Sequence, residues 1–342
     1  MNLCPKKKVV FFVLFILLFL SLILGVMIGS VSIPIEEQGS ILWDFIRSGA
    51  KTPETTQGYI LLYLRLPRGV LGALVGFALA LCGATMQGIF RNPLADPYLL
   101  GISSGATAGA ATVICAGITT LPFALPAGAF LGGIVAVAIV YAIAQSRFGS
   151  LSNHVLLLAG IAVSSLFSAV ASFMVLVSDQ GQLRQVVFWA MGSLAVADWP
   201  SILNLSIAVS AGALGVFLFT NHLDALSLGD DMARHLGIDP GMAKKTLLLI
   251  ATFLTASVVC VSGTIAFVGL IVPHVMRIIV GPKHRGLLIA SGMAGALFLM
   301  ICDILARSIL SPMEIPVGIV TSFFGAPFFL YLLLYHKKKS TP

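Results

Sequence analysis

Charge is what this chain has least of. Its 342 residues include 20 Lys and Arg and 13 Asp and Glu, only 10% of the chain. Soluble domains carry about 25%, so a soluble globular chain and a disordered one are both excluded. The net charge of +7 is spread over a chain that is 58% hydrophobic. It forms no basic patch, which excludes a nucleic-acid binder. Cysteine is scarce too: Cys4, Cys82, Cys115, Cys260 and Cys302 make no C-x-x-C pair. No disulfide framework is written into that spacing. The six histidines include no pair at i+3 or i+4, the spacing that sets two metal ligands on one helical face. There is no Gly-Lys dipeptide, hence no P-loop. The residues therefore point away from an enzyme and from a bound nucleotide, metal or other cofactor.

What is present is apolar length. Windows free of Asp, Glu, Lys and Arg run 9–35, 69–90, 97–146, 148–178, 199–223, 246–276, 286–302 and 315–336. A membrane helix takes roughly 20 predominantly apolar residues. Pro122 and Pro126 divide the 97–146 window into spans near 98–117 and 123–145. Ser262-Gly263-Thr264 divides 246–276, leaving a second, shorter span from about 265 to 280 with Pro273 inside it. The expectation is an all-α polytopic membrane protein, about ten transmembrane helices in one domain over 1–342. The runs are continuous, not alternating, which disfavours a barrel. Residues 9–29 exceed the h-region of a signal peptide and no small-x-small site follows, so the first span reads as retained.

Ten spans put both ends on one side. Placing them in the cytoplasm leaves 14 basic residues inside and 6 outside: Arg47, Lys51, Arg65, Arg68, Arg184 and Arg307. That asymmetry obeys the positive-inside rule. Arg65 and Arg68, at the outer mouth of the second span, and Arg307, at the outer end of the ninth, read as exposed guanidiniums. They suit the carboxylates of an acidic partner or lipid headgroups. Asp303 is the one clear acidic residue inside a span. Arg307 lies four residues on, and the two read as a structural ion pair.

The longest cytoplasmic connection, about 220–245, holds a short helix. Ser227 with Asp230 reads as a capping box at its start, and Gly237 with Pro240 as its stop. Met232, Ala233 and Leu236 fall along one face, which suits a partner groove or a lipid surface. The near-neutral charge of Asp230, Asp231 and Arg234 favours the groove. Two breaks stand on the cytoplasmic side: the turn from Arg91 through Asn92, Pro93 and Leu94 to Pro97, and the segment from Phe267 to His274 with Pro273. Irregular backbone at membrane depth is tolerated against protein or a water-filled cavity. Both breaks mark a candidate translocation path, an ordinary loop and a proline kink being the plainer reading.

The ordered motifs are Arg65-Leu-Pro-Arg68, Gly83-Ala-Thr-Met-Gln-Gly88, Arg91-Asn-Pro-Leu-Ala-Asp-Pro97 and Leu100-Gly-Ile-Ser-Ser-Gly105. Later come Trp189-Ala-Met-Gly-Ser-Leu194, Ala233-Arg-His-Leu-Gly237 and Gly263 through Pro273-His274. Asp303-Ile-Leu-Ala-Arg307, Glu314-Ile-Pro-Val-Gly318 and Gly325-Ala-Pro-Phe-Phe329 close the set. Over nearly its whole length the chain resembles the FecCD-type permease family, membrane subunits of ABC importers for iron–siderophore complexes, haem and cobalamin. The resemblance implies a type II ABC importer permease fold and a homodimer, or a closely related pair, around a central path. It implies two cytoplasmic ATPase subunits, which bind the ATP and Mg, and an extracytoplasmic substrate-binding protein. It also implies roles. Leu228, Gly229, Met232, Ala233, Leu236 and Gly237 resemble the coupling helix that sits on the ATPase. Arg65, Arg68 and Arg307 resemble the residues that receive glutamates of the binding protein. Asn92, Pro93 and Leu94 resemble part of a cytoplasmic gate, with Pro273 beside the path. The expected cargo is an iron–siderophore chelate, with haem, cobalamin or an oxyanion as alternatives. A stand-alone secondary carrier is the competing class. The expected site is the inner or plasma membrane, with both termini cytoplasmic.

Overall fold

The computed structural model describes residues 5–29, 31–47, 55–148 and 153–339. Helix follows helix among them, with no strand. In chain order, α1 (Pro5–Met27) leads to α2 (Ile35–Arg47). A short α3 (Thr56–Tyr59) runs through a π-helical stretch, Ile60–Arg65, into α4 (Leu66–Phe90). A 3-10 turn, Pro97–Leu100, precedes α5 (Ile102–Cys115), α6 (Ala124–Phe148), α7 (Asn153–Val177) and α8 (Gln180–Ala190). Then come α9 (Trp199–Leu218), α10 (Thr220–Leu228), α11 (Asp230–His235), α12 (Pro240–Ser262), α13 (Val268–Val280), α14 (His284–Ser308) and α15 (Val317–Lys339). Seven of these stretches are long and apolar enough to cross a membrane, and three shorter apolar ones lie within α5, α13 and α15. Together they are the ten expected spans.

Helix α4 is the axis of the bundle. Of its most apolar window 78% is buried, against 22% for α1. It packs against α12, α13 and α14, while α5 joins α6 and α7 at the side. Small residues permit the closest approaches. A Cβ on Gly76 would collide with the Gly295 carbonyl of α14, and one on Gly83 with the Gly269 carbonyl of α13. Gly105 and Gly109 of α5 meet Gly132 and Gly128 of α6 in the same way. With lipid as apolar as leucine, such backbone-to-backbone packing is what holds membrane helices together.

α2 and α8 are amphipathic helices outside the apolar windows. α2 carries Glu36 and Glu37 in its first turn and Arg47 in its last, too much charge for a span. Its apolar side, Ile41, Leu42 and Phe45, packs on Leu61 and Leu62 of the π-helical stretch. α8 starts at a full capping box between Asp179 and Gln182.

Candidate functional site

From Arg68 to Ile89 the axis helix rises about 32 Å at roughly 1.5 Å per residue, close to the ~30 Å hydrocarbon thickness of a bilayer. Polar structure gathers at each end of that rise.

At the N-terminal end of α4, charges are buried and paired. Arg68 Nε donates to Asp303 Oδ1 at 2.9 Å, and its Nη1 to Glu314 Oε2 at 2.7 Å. Arg307 Nε lies 3.2 Å from Asp303 Oδ2, and its Nη2 donates to the Gly25 carbonyl at 2.9 Å. Arg65 reaches across to α1, donating to the Val26 and Met27 carbonyls at 3.1 Å and to that of Val31. These include carbonyls that the end of α1 leaves without helical partners. The expected exposure of the arginines is therefore corrected: Arg65, Arg68 and Arg307 are 5%, 9% and 3% exposed. A guanidinium at that depth must be neutralised or saturated from within the chain, and each one is. Asp303 does pair with Arg307, as its spacing suggests. Its principal partner, however, is Arg68, 235 residues away in sequence, which only folding brings near.

At the other end, α4 stops at Arg91, which takes the left-handed conformation (φ 50°). The turn that follows is locally built: Asn92 Oδ1 accepts from Leu94 N at 2.9 Å, and Asp96 Oδ1 from Tyr98 N at 2.8 Å. Burial pushes the Asp96 carboxyl up to about 6, against the pull of the Tyr98 N–H. Asn92 and Pro93 are exposed, Leu94 half-buried. The turn meets the second break in the chain. Pro97 packs on Gly269 of α13, and Tyr98 OH donates to the Ile265 carbonyl at 3.1 Å. The irregular backbone of that break lies at Gly263 (φ 66°) and Phe267 (φ 70°). Pro273 itself sits inside α13 and is buried, apart from that irregular backbone. Nearby, Gln87 Nε2 of α4 donates to the Leu270 carbonyl at 3.0 Å.

The connection at 220–245 is two helices. Ser227 belongs to the last turn of α10, its Oγ donating to the Asp224 carbonyl at 2.7 Å. The expected capping box is thus absent, and the break falls at Gly229, whose φ of 117° excludes other residues without strain. The stop at Gly237 holds: Gly237 N donates to Arg234 O at 2.9 Å and Ile238 N to Ala233 O at 3.0 Å, a Schellman motif. The apolar face is also redistributed. Leu228, Met232 and Leu236 are 68%, 48% and 58% exposed, whereas Ala233 is fully buried against the bundle. The six-residue helix and its C-cap Leu236 turn residues 232 and 236 one way and 233 the other.

Two polar joints tie this segment to the spans. His284, the first residue of α14 and fully buried, donates from N to Asp224 Oδ1 at 2.8 Å, and its Nδ1 lies 2.7 Å from the same oxygen. Burial works to raise the Asp224 carboxyl, but its bonds from His284 prevail and hold it below the ordinary carboxylate range. Lys244 Nζ, on the first turns of α12, donates to Asp230 Oδ2 of α11 at 2.7 Å and to Asn153 Oδ1 of α7 at 3.3 Å.

The FecCD transport family matches residues 16–335. The chain belongs to that family. It is 42% identical over 291 residues to the hemin transport system permease protein HmuU of Yersinia pestis, covering 82% of this chain and 85% of that one. It is 44% identical over 285 residues to the cobalamin import system permease protein BtuC of Halobacterium salinarum, covering 82% and 74%. With the iron(3+)-hydroxamate import system permease protein FhuB of Bacillus subtilis it shares 38% over 283 residues, covering 82% and 72%. Among solved structures, an inward-facing chain assigned to the metal-chelate type of ABC transporter superposes with a TM-score of 0.83. It shares 31% identity and covers 96% of this chain and 99% of that one.

In this FecCD chain the sequence reading missed Lys244, Asn153, Asp224 and His284. Lys244 counted only toward the positive-inside tally. The signal that could have singled it out is its place beside Lys245 on the first turns of an apolar helix, where one of two adjacent residues must face the bundle.

Proposed function

We propose that this chain is the membrane-spanning permease subunit of an ATP-driven importer. It would work beside a second permease subunit, with two separate ATPase subunits supplying the energy. The observation that carries the reading is the exposed apolar face of Leu228, Met232 and Leu236. It stands on a short segment linked through Lys244 and Asn153 to the end of α4 that bears the 91–97 turn. Such a face on a helix of near-neutral charge suits a partner groove, and the turn beside it is the natural gate. Differential affinity of the ATPase dimer for two arrangements of that face would shift the gate between states.

For the cargo we propose an iron–siderophore chelate. Among the described residues no three His, Cys, Asp or Glu side chains gather into a metal-holding group. A chelate carries its own ligands, so its path needs release rather than coordination. Both termini are placed in the cytoplasm on the distribution of basic residues. An extracytoplasmic binding protein is proposed to seat at the Arg65, Arg68 and Arg307 end. Because these guanidiniums are engaged within the chain, an acidic partner reaches Arg68 only by displacing Glu314. A stand-alone secondary carrier would need a free carboxylate within the membrane, and Asp303 is engaged by two arginines.

The test is uptake into proteoliposomes holding this chain with its ATPase and binding protein. Ferric hydroxamate, haemin and cyanocobalamin are offered separately, with and without ATP. ATP-dependent uptake of labelled iron hydroxamate is the expected result. Uptake of haemin or cobalamin alone overturns the cargo, and uptake indifferent to ATP overturns the importer reading.

A further inference from the structure

We propose that Lys244 is a positioning residue that carries the motion of α11 to the 91–97 turn, through Asp230 on one side and Asn153 on the other. This rests on the reading of α11 as the ATPase-facing helix.

Lys244 is a cation in the wrong place for solvation. Its side chain is 3% exposed, and a buried ammonium is tolerated only when paired and hydrogen-bonded. Its two anchors belong to different elements. Asp230 is the first residue of α11, and Asn153 the first of α7. Asn153 then continues the chain of bonds: its Nδ2 donates to the Ile89 carbonyl at 3.4 Å. Ile89 lies in the last turn of α4, where carbonyls lack helical donors, two residues before Arg91 opens the turn. The sequence of contacts is α11, Lys244, α7, end of α4, gate turn. A second contact runs alongside, since a Cβ on Gly229 would come within 3.3 Å of Arg91 Nη1.

The burial of Lys244, whose partner Asp230 is 34% exposed, is what lets the pair transmit. If α11 moved away from Lys244, it would strand an ammonium with no access to water. The cheaper response is for α12, Asn153 and the end of α4 to follow. The neighbouring pair between Arg234 and Asp231, with side chains 62% and 92% exposed, has no such leverage, because water replaces either partner and salt screens both. α11 is also clamped to α12 at close range. The Schellman turn at Gly237 leads directly to Asp239, whose Oδ1 accepts from Gly241 N at 2.8 Å and caps α12.

The test uses the full chain assembled with its ATPase, carrying Pro93→Cys as a reporter in a background where Cys4, Cys115 and Cys260 are each replaced by serine. The rate at which a maleimide labels the reporter is measured with and without ATP and vanadate, so no cargo is needed. With the relay intact, ATP changes the labelling rate. Asp230→Asn and Asn153→Ala are each expected to shrink that change roughly tenfold, and the two together no more than either alone. Asn153 lies off the α11 surface, so its variant should still bind the ATPase, which separates lost transmission from lost docking. Asp230→Glu, which keeps the charge, should restore much of the response. A merely structural role would track melting temperature instead. A full response in both Asp230→Asn and Asn153→Ala overturns the relay while leaving the importer reading in place. If the parent chain binds no ATPase, or ATP leaves its labelling unchanged, it is the importer reading that fails, and the relay with it.

Discussion

The two ends of α4 solve the problem of polar groups in a membrane protein in opposite ways. At the Arg68 end, two arginines and two carboxylates close on one another, and Arg65 saturates the carbonyls around the end of α1. Arg65 is held by carbonyls alone, and α1, α4, α14 and the approach to α15 are pinned together. At the Arg91 end, separate small joints run between elements: His284 with Asp224, Lys244 with Asp230 and Asn153, Asn153 with the Ile89 carbonyl. There the apolar side chains of Leu228, Met232 and Leu236 face outward, beside the exposed Asp231 and Arg234. A closed cluster resists motion because every displacement breaks several ion pairs at once. A chain of single joints can pivot while each joint stays made. The first end is built as an anchor and the second as a lever.

The most damaging way to break this contrast is Asp303→Ala. It leaves the Arg68 and Arg307 guanidiniums buried without their shared partner, a loss of about 3–5 kcal/mol. Melting in detergent should show it as a large drop in Tm or as failure to accumulate. A near-normal Tm would mean that the cluster is not an anchor.

Met232→Asp with Leu236→Asp sharpens the other side. Both residues are exposed, so Tm should hardly move. Affinity for the ATPase should fall tenfold or more, about 1.4 kcal/mol or above. Titration of the purified ATPase onto the variant reads it, and unchanged affinity would remove this face from the interface. Ala233 is the wrong residue for that experiment, because at full burial a bulkier side chain disturbs packing before it disturbs docking.

The effect confined to the narrowest pH window is at Asp96. Its folded carboxyl titrates at about 6, above the roughly 3.9 of an unfolded aspartate. The unfolded chain therefore binds fewer protons between those values, so stability falls as pH rises from about 4 to about 6 and is level beyond. Asp96→Asn still offers an oxygen to Tyr98 N and should flatten that slope in Tm against pH. An identical slope in the variant would assign it to another group.

Much of this was legible from residue order. Charge-free windows outline the spans to within a few residues, because the hydrocarbon thickness sets a length that apolar runs must meet. The turn at Arg91–Pro97 and the stop at Gly237 announce themselves through proline, asparagine and glycine, whose backbone preferences are local. α2 and α8 escaped because their faces mix polar and apolar residues, and that pattern is decided by what they lie against. Ser227 misled for a related reason: its hydroxyl found a carbonyl one turn back before any cap was needed. The arginines misled most. An outside guanidinium looks exposed until the helices that cover it are known.

Composition and spacing were enough to settle that this is a ten-span α-helical bundle, since the solvent imposes those requirements residue by residue. Which charges face outward was settled by packing. Arg68 meets Asp303, and Lys244 meets Asp230 and Asn153, across separations that no periodicity relates. Pairing buried charges depends on three-dimensional proximity alone, so anchor and lever exist only once the chain has folded.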